Sequence, residues 1–217
     1  YQRRVRGMRE DLLEVVAILD MSGSMGGIQS DTIGGFNAYL DQLKKTDFET
    51  IMTLVFFNNT NQTIFYRKNV NEIGHISAKE YNPGGGTALL DAIGFSITRL
   101  KQEIAGLPDE QKPGQVSFFV TTDGEENSSR QYNNQQIKKM VEQAQTEDKW
   151  NFMFAGAGID AFAAGQNLGF QANNIAKLEN DGRSQAVLYE ALACQQVESK
   201  KCSAPQMSFQ MRFNSKK

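Results

Sequence analysis

Apolar residues follow two alternating rhythms along this chain. Leu12–Leu19 is an almost unbroken apolar run, rich in Val and Ile and too short for a typical helix. That is the pattern of a strand buried on both faces of a parallel sheet. A Gly/Ser loop, Asp20–Gly27, follows it. Ile33, Phe36, Leu40 and Leu43 then recur at helical spacing and predict an amphipathic helix over Ile28–Lys44. Glu49–Asn58 reads as a second buried strand, Asn58-Asn59-Thr60-Asn61 as a turn and Thr63–Asn69 as a third strand. So short a link implies a hairpin, which makes one pair in the sheet antiparallel.

Val70–Tyr81 is weakly patterned and leads into the loop Asn82–Thr87, which holds three consecutive glycines. Leu89, Ile93, Ile97, Leu100 and Ile104 mark a long helix, and Leu107–Gly114 a Pro/Gly-containing connector. Val116–Val120 is another all-apolar strand, running into Thr121-Thr122-Asp123-Gly124. Ile137, Met140, Val141 and Ala144 mark the next helix. Trp150–Ala155 reads as a strand, Asp160–Leu168 as a short helix, Asn174–Leu178 as a weak strand and Ser184–Val197 as the last helix. No internal repeat and no dividing linker stands out. Strands alternating with helices predict an α/β fold, a three-layer α/β/α sandwich around a mostly parallel sheet. Ligands of such sheets bind beyond the carboxyl ends of the strands, so the loops that follow strands hold the interest.

Composition narrows the functional classes. The 217 residues are 40% hydrophobic and 10% aromatic, values of a globular chain. Lys and Arg number 23 against 25 Asp and Glu, a net charge of −2. A pI near 5.6 argues against nucleic acid as the default partner, since phosphate binding wants a basic surface. A mean hydropathy of −0.48 and the absence of a long apolar run predict no membrane span. Two Cys and one His exclude a four-thiolate zinc site, a multi-His metal site and a disulfide scaffold. The first seven residues, Tyr1–Gly7, are basic and polar, with no apolar stretch of the signal-peptide kind after them. Met8 is read as the native start, and residues 1–9 as an N-terminal extension. Few Cys and no leader point to a reducing cytoplasm.

Three post-strand loops carry the chemistry. They are Asp20-Met21-Ser22-Gly23-Ser24, Gly84-Gly85-Gly86-Thr87 and Thr122-Asp123-Gly124. Their informative side chains, Asp20, Ser22, Ser24, Thr87 and Asp123, offer only oxygen: two carboxylates and three hydroxyls. Hard cations take such ligands, and a small octahedral site favours Mg²⁺ over Mn²⁺ or Ca²⁺. Alternation at 20, 22 and 24 lets an extended turn aim three side chains one way. Gly23 lets that turn pass close to the ion, and the glycine triplet does the same for Thr87. Asp20 and Asp123 end neighbouring strands, so without a cation their like charges would face each other. A metal held largely by hydroxyls stays electrophilic and has room for one more oxygen, which a carboxylate from another protein fills. No nucleophile–base pair accompanies the set.

Asp20-x-Ser22-x-Ser24, Thr87 and Asp123 together resemble the metal-ion-dependent adhesion site of von Willebrand factor A domains. The likeness extends over about Glu10 to Ser199. VVAILDMSGSM, GGTALLDAIG and FFVTTDGEENSSR read most like stand-alone, intracellular bacterial members. The resemblance implies a Rossmann-like, six-stranded sheet with one antiparallel edge strand and helices on both faces. It also implies that Ser22, Ser24 and Thr87 bind Mg²⁺ directly, and Asp20 and Asp123 directly or through water. An acidic residue of a protein partner would complete the shell. On this reading the chain is a binding module and not an enzyme, and residues 10–199 form the domain.

Other readings compete. Gly156-Ala157-Gly158-Ile159-Asp160-Ala161 matches G-x-G-x-x-A, and Glu179 lies near the distance of a ribose-binding acid. Asp160, however, would repel a pyrophosphate and suits a helix N-cap better. Asp20 at the end of a first strand is similar to the nucleophile of haloacid-dehalogenase-like phosphohydrolases, but Ser22 stands where their second acid belongs. A nucleotide-binding enzyme or such a phosphohydrolase is therefore the alternative. Glu125 and Glu126 read as a solvated loop before a helix N-terminus, where acids are favourable, with ligand tuning beside the ion as the second reading. His75 has no second His. Cys194 is expected to be a core thiol on the last helix, and Cys202 an exposed residue. In the tail, residues 200–217, Met207, Phe209, Met211 and Phe213 alternate with polar residues, which predicts a strand at 206–213.

Overall fold

A computed structural model of the chain describes residues 7–158, 160–179, 181–201 and 208–216. The extension before Gly7, Ile159 of the glycine motif, Cys202 and Met207 lie outside the described residues. The elements are β1 (Arg9–Asp20), α1 (Gln29–Lys44), β2 (Glu49–Phe57), β3 (Asn61–Asn69), α2 (Leu89–Gly106) and β4 (Pro113–Thr122). They continue as α3 (Asn134–Thr146), β5 (Asn151–Ala157), α4 (Ala161–Asn167), β6 (Ile175–Leu178), α5 (Gly182–Lys201) and α6 (Phe209–Lys216).

The strands form one six-stranded sheet in the order β3-β2-β1-β4-β5-β6. All neighbours pair parallel except β2 and β3. The hairpin at 49–69 is thus the antiparallel edge that the sequence predicts. Connections run outward one way from β1 and the other way from β4. Strand order therefore reverses between β1 and β4, and the crevice at their carboxyl ends is the switch point of the sheet.

Side-chain alternation on the strands splits the interior into two layers. On β1, Leu13, Val15, Ala17 and Leu19 face α1, α5 and α6, while Val16 and Ile18 face α2, α3 and α4. Phe119 of β4 joins the first layer, and Phe118 and Val120 the second. This explains the near-continuous apolar runs at 12–19 and 116–120.

The tail departs from expectation. Residues 209–216 are a helix and not part of a strand at 206–213. Phe209 and Phe213, one helical turn apart, are fully buried in the first layer, whereas Met211 is 59% exposed. Arg212, also buried, makes two hydrogen bonds to Glu198 of α5, at 2.8 and 2.6 Å. The period-two signal contained an i,i+4 pair, which serves a helix equally well. Hence α5 is not the last helix, and the tail packs into the domain. Cys194 is half-buried and a free thiol, so the expected core position is only partly realised.

Candidate metal centre

The switch point gathers the three loops. Register places Leu19 of β1 opposite Thr121 of β4, so Asp20 lies level with Thr122 and one step short of Asp123. After Asp20 the chain leaves the sheet, and Met21 N–H donates to Phe57 O at 2.7 Å. The glycine loop is tied to this turn from both sides. Gly23 N–H donates to Gly85 O at 3.1 Å, and Gly84 N–H to Met21 O at 2.9 Å. Gly85 has φ +83°, the left-handed conformation that glycine adopts at low cost. A Cβ on Gly86 would lie 2.3 Å from Ser128 Oγ and 2.7 Å from Asn59 Oδ1, so these side chains pack directly against the glycine.

Within this frame the predicted side chains converge in part by direct contact. Ser22 Oγ and Ser24 Oγ are 3.1 Å apart, and Ser24 Oγ donates to Asp123 Oδ1 at 2.6 Å. Asp20 is fully buried. Its Oδ1 accepts from Ser22 N–H at 2.7 Å and its Oδ2 from the Thr122 hydroxyl at 2.6 Å. Thr87 is buried as well. A Cβ on Gly124 would meet Thr87 Oγ1 at 3.4 Å and Ser24 Oγ at 4.0 Å, which places both hydroxyls around one small gap.

Electrostatically the cup is strained toward a cation. Burial holds the Asp20 carboxyl above the usual carboxylate range, and the nearby Asp123 charge pushes the same way; hydrogen bonds from Ser22 and Thr122 oppose them. Asp123 Oδ2 is buried and has no hydrogen-bond partner. A buried carboxylate oxygen left without a donor is costly, and a bound cation would relieve it. The donor set therefore fits a hard divalent ion. Among the described residues, no group of three or more His, Cys, Asp or Glu could hold a metal. An ion here would rest on hydroxyls and two carboxylates.

Several supporting residues escaped the sequence reading. Thr122 orients Asp20. The Thr87 backbone is clamped by Asn127, whose Oδ1 accepts from Thr87 N–H at 2.9 Å and whose N–H donates to Thr87 O at 3.0 Å. Glu126 accepts from Leu90 N–H at 3.0 Å and from the Ser128 and Ser129 N–H groups. It thus caps α2, whereas α3 is capped by Asn133 and Gln136, which corrects the solvated-loop reading of Glu126. In return, buried Asp91 of α2 accepts from the N–H groups of Arg130, Gln131 and Tyr132. An acid inside the apolar helix LLDAI was the available signal. The remaining candidates fall elsewhere. Asp160 N-caps α4, accepting from Ala163 N–H at 3.0 Å, as its charge suggested. His75 is exposed and contacts Asp41 at 2.9 Å.

No protein-family model and no curated protein matches the chain by sequence. Solved structures do match. One is a von Willebrand factor type A protein from Catenulispora acidiphila, with TM-score 0.59 and 16% identity over 85% of this chain. The ArnB paralog VWA2 from Sulfolobus acidocaldarius matches with TM-score 0.52 and 17% identity over 85% of this chain. Proximal thread matrix protein 1 of the mussel byssus, with a zinc-occupied MIDAS motif, matches with TM-score 0.56 and 12% identity over 86% of this chain.

The chain has the von Willebrand factor A fold. The six-stranded sheet with its single antiparallel edge agrees with that assignment. The chain spans 42%, 44% and 45% of the lengths of these three matched chains. No helix among its described residues is long and apolar enough to cross a membrane.

Proposed function

We propose that this A domain is a divalent-metal-dependent protein-binding module and not an enzyme. Ser22, Ser24 and Thr87 hold the ion through hydroxyls, while Asp20 and Asp123 balance its charge. The bound ion supplies a Lewis-acidic position to which an Asp or Glu carboxylate of a protein partner binds. The domain's own part is to keep the hydroxyls fixed and the carboxylates ionised. Mg²⁺ is the proposed ion, because hydroxyl and carboxylate oxygens in a small cup suit it, and the proposed setting is the bacterial cytoplasm. The observation that carries the reading is the buried, unpartnered Asp123 Oδ2 beside the Ser24–Asp123 hydrogen bond. The zinc-occupied MIDAS motif of the mussel byssus protein supports divalent binding on this fold.

The test is thermal unfolding with Mg²⁺, Mn²⁺, Ca²⁺ or Zn²⁺, with and without EDTA. An ion at 100 times its Kd adds about 2.7 kcal/mol to stability. Wild type is expected to gain several degrees in Tm, EDTA to reverse the gain, and Asp123→Ala to abolish it. A Tm indifferent to millimolar concentrations of all four ions overturns the proposal. Capture of a protein from cell extract that EDTA and Asp123→Ala both release would supply the partner.

A further inference from the structure

A second concavity lies away from the metal centre, between α2 and the β2–β3 edge of the sheet, with a volume of about 90 Å³. Its floor is apolar and buried, formed by Val16, Val55, Ala92 and Leu100. Arg99 is exposed and is the one charged residue of the described lining. Its Cζ lies over the Tyr66 ring, 3.5 Å from the centroid. At that distance the guanidinium is flat on the ring, so its N–H edge stays free to donate. The acids that act on Tyr66, Glu14 and Glu103, belong to another cation: Arg67 holds Glu14 at 2.7 Å and faces Glu103 at 3.7 Å. Among the described residues Arg99 makes no ion pair. Asn61 Oδ1 and Tyr66 Oη are enclosed by protein and offer a ligand nothing.

We infer that this concavity is a binding site for a short branched-chain carboxylate. The floor takes the apolar body, and the edge of Arg99 takes the carboxylate at the mouth. A planar guanidinium edge matches a carboxylate with two parallel N–H···O bonds. One positive charge on the wall balances one negative charge on the ligand, whereas a phosphate dianion would keep a charge unmatched. An anion without a hydrocarbon body leaves the floor unused and forfeits the hydrophobic share of the affinity. Size sets the scale: a dry cavity of roughly 150 Å³ admits benzene, so this smaller one encloses a branched group of about four heavy atoms. The site is separate from the metal centre, since none of Asp20, Ser22, Ser24, Thr87 or Asp123 lines it.

Isovalerate at neutral pH is the probe, followed by chemical shifts on the ¹⁵N-labelled full chain. Expected are saturable shifts of the Val55, Ala92 and Leu100 amides and of the Arg99 Nε–H, unchanged by EDTA, with a Kd on the order of millimolar for a ligand of this size. Two control ligands need no variant. Acetate keeps the charge and lacks the body; isovaleramide keeps the body and lacks the charge. Each is expected to bind about tenfold more weakly than isovalerate. Arg99→Gln is expected to weaken isovalerate about tenfold, the effect of a charge-assisted hydrogen bond, with amide shifts elsewhere as in wild type. Ala92→Leu, which fills the floor, is expected to abolish binding. The inference is overturned if shifts are absent at about 50 mM isovalerate, if acetate or isovaleramide binds as tightly, or if Arg99→Gln binds as well as wild type. Because the readouts do not depend on metal, failure here is distinct from failure of the metal-binding proposal.

Discussion

Ser24 and Asp123 stand 99 positions apart, yet Ser24 Oγ donates to Asp123 Oδ1 at 2.6 Å. This bond joins the loop after β1 to the loop after β4 across the point where strand order reverses. It leaves Asp123 Oδ2 buried without a partner. The same contact that assembles the loops therefore creates an unmet demand for positive charge.

Asp20 gives the first. Its folded-state pKa is raised, chiefly by burial. A carboxyl with a raised folded pKa favours folding when protonated, so in the metal-free domain this group's contribution falls as pH rises from the ordinary carboxylate range through the raised value. Metal binding needs the ionised form, so metal affinity falls as pH drops. The Mg²⁺-induced rise in Tm is therefore expected to be larger at pH 7.5 than at pH 5. Asp20→Asn can still accept from Ser22 N–H and donate to Thr122, whose hydroxyl is 3.1 Å from Gly124 O. It is expected to raise the metal-free Tm at neutral pH and to erase the metal response. A metal response that survives Asp20→Asn would contradict this.

Gly124 gives the second. A Cβ there would touch Thr87 Oγ1 at 3.4 Å and Ser24 Oγ at 4.0 Å, ordinary contact distances, so atoms beyond the Cβ would enter the gap between them. Gly124→Val puts two methyl groups beyond that Cβ. Metal affinity is expected to fall at least tenfold, about 1.4 kcal/mol, while the metal-free far-ultraviolet circular dichroism stays the same. Isothermal titration with Mn²⁺ measures it. Equal affinity in wild type and variant would place the ion elsewhere.

Much of this was legible because it is local. Buried strands read as apolar runs, the hairpin as a short link, and the ligand loops as Gly/Ser/Asp segments directly after strands. What was not legible depends on distant partners. Nothing near Thr122 in sequence announces that its hydroxyl holds Asp20, and nothing near Glu126 that it caps α2. The tail failed for another reason: Phe209 and Phe213 satisfy periods of both two and about four. Their fully buried contacts in the first layer decided the outcome.

Arg67 tests a long-range partner of that kind. Glu14 interrupts the apolar run of β1 and is fully buried. Arg67 of the edge strand reaches it with Nε and a terminal nitrogen at 2.7 and 3.0 Å. Arg67→Ala leaves a buried carboxylate with no cation, a change that costs about 3–5 kcal/mol. Urea unfolding of Arg67→Ala is expected to show that loss, and the double variant Glu14→Leu/Arg67→Met to recover most of it. An Arg67→Ala protein as stable as wild type would mean that the pair carries little.

The last prediction separates the two readings of the tail by their energetics. In a strand, Phe209, Met211 and Phe213 share one face and are interchangeable in kind. In α6, Phe213 is fully buried and Met211 is 59% exposed. Phe213→Ala is therefore expected to cost about 3–5 kcal/mol by urea unfolding, as for a large core side chain. Met211→Ser should stay within about 0.5 kcal/mol, as for an ordinary surface position. Arg212→Met should fall between them, because it removes the paired hydrogen bonds to Glu198 and keeps the stem packed. Equal costs at 211 and 213 would favour the strand. The expected inequality would make α6 part of the layer that backs β1, and so part of the support beneath Asp20.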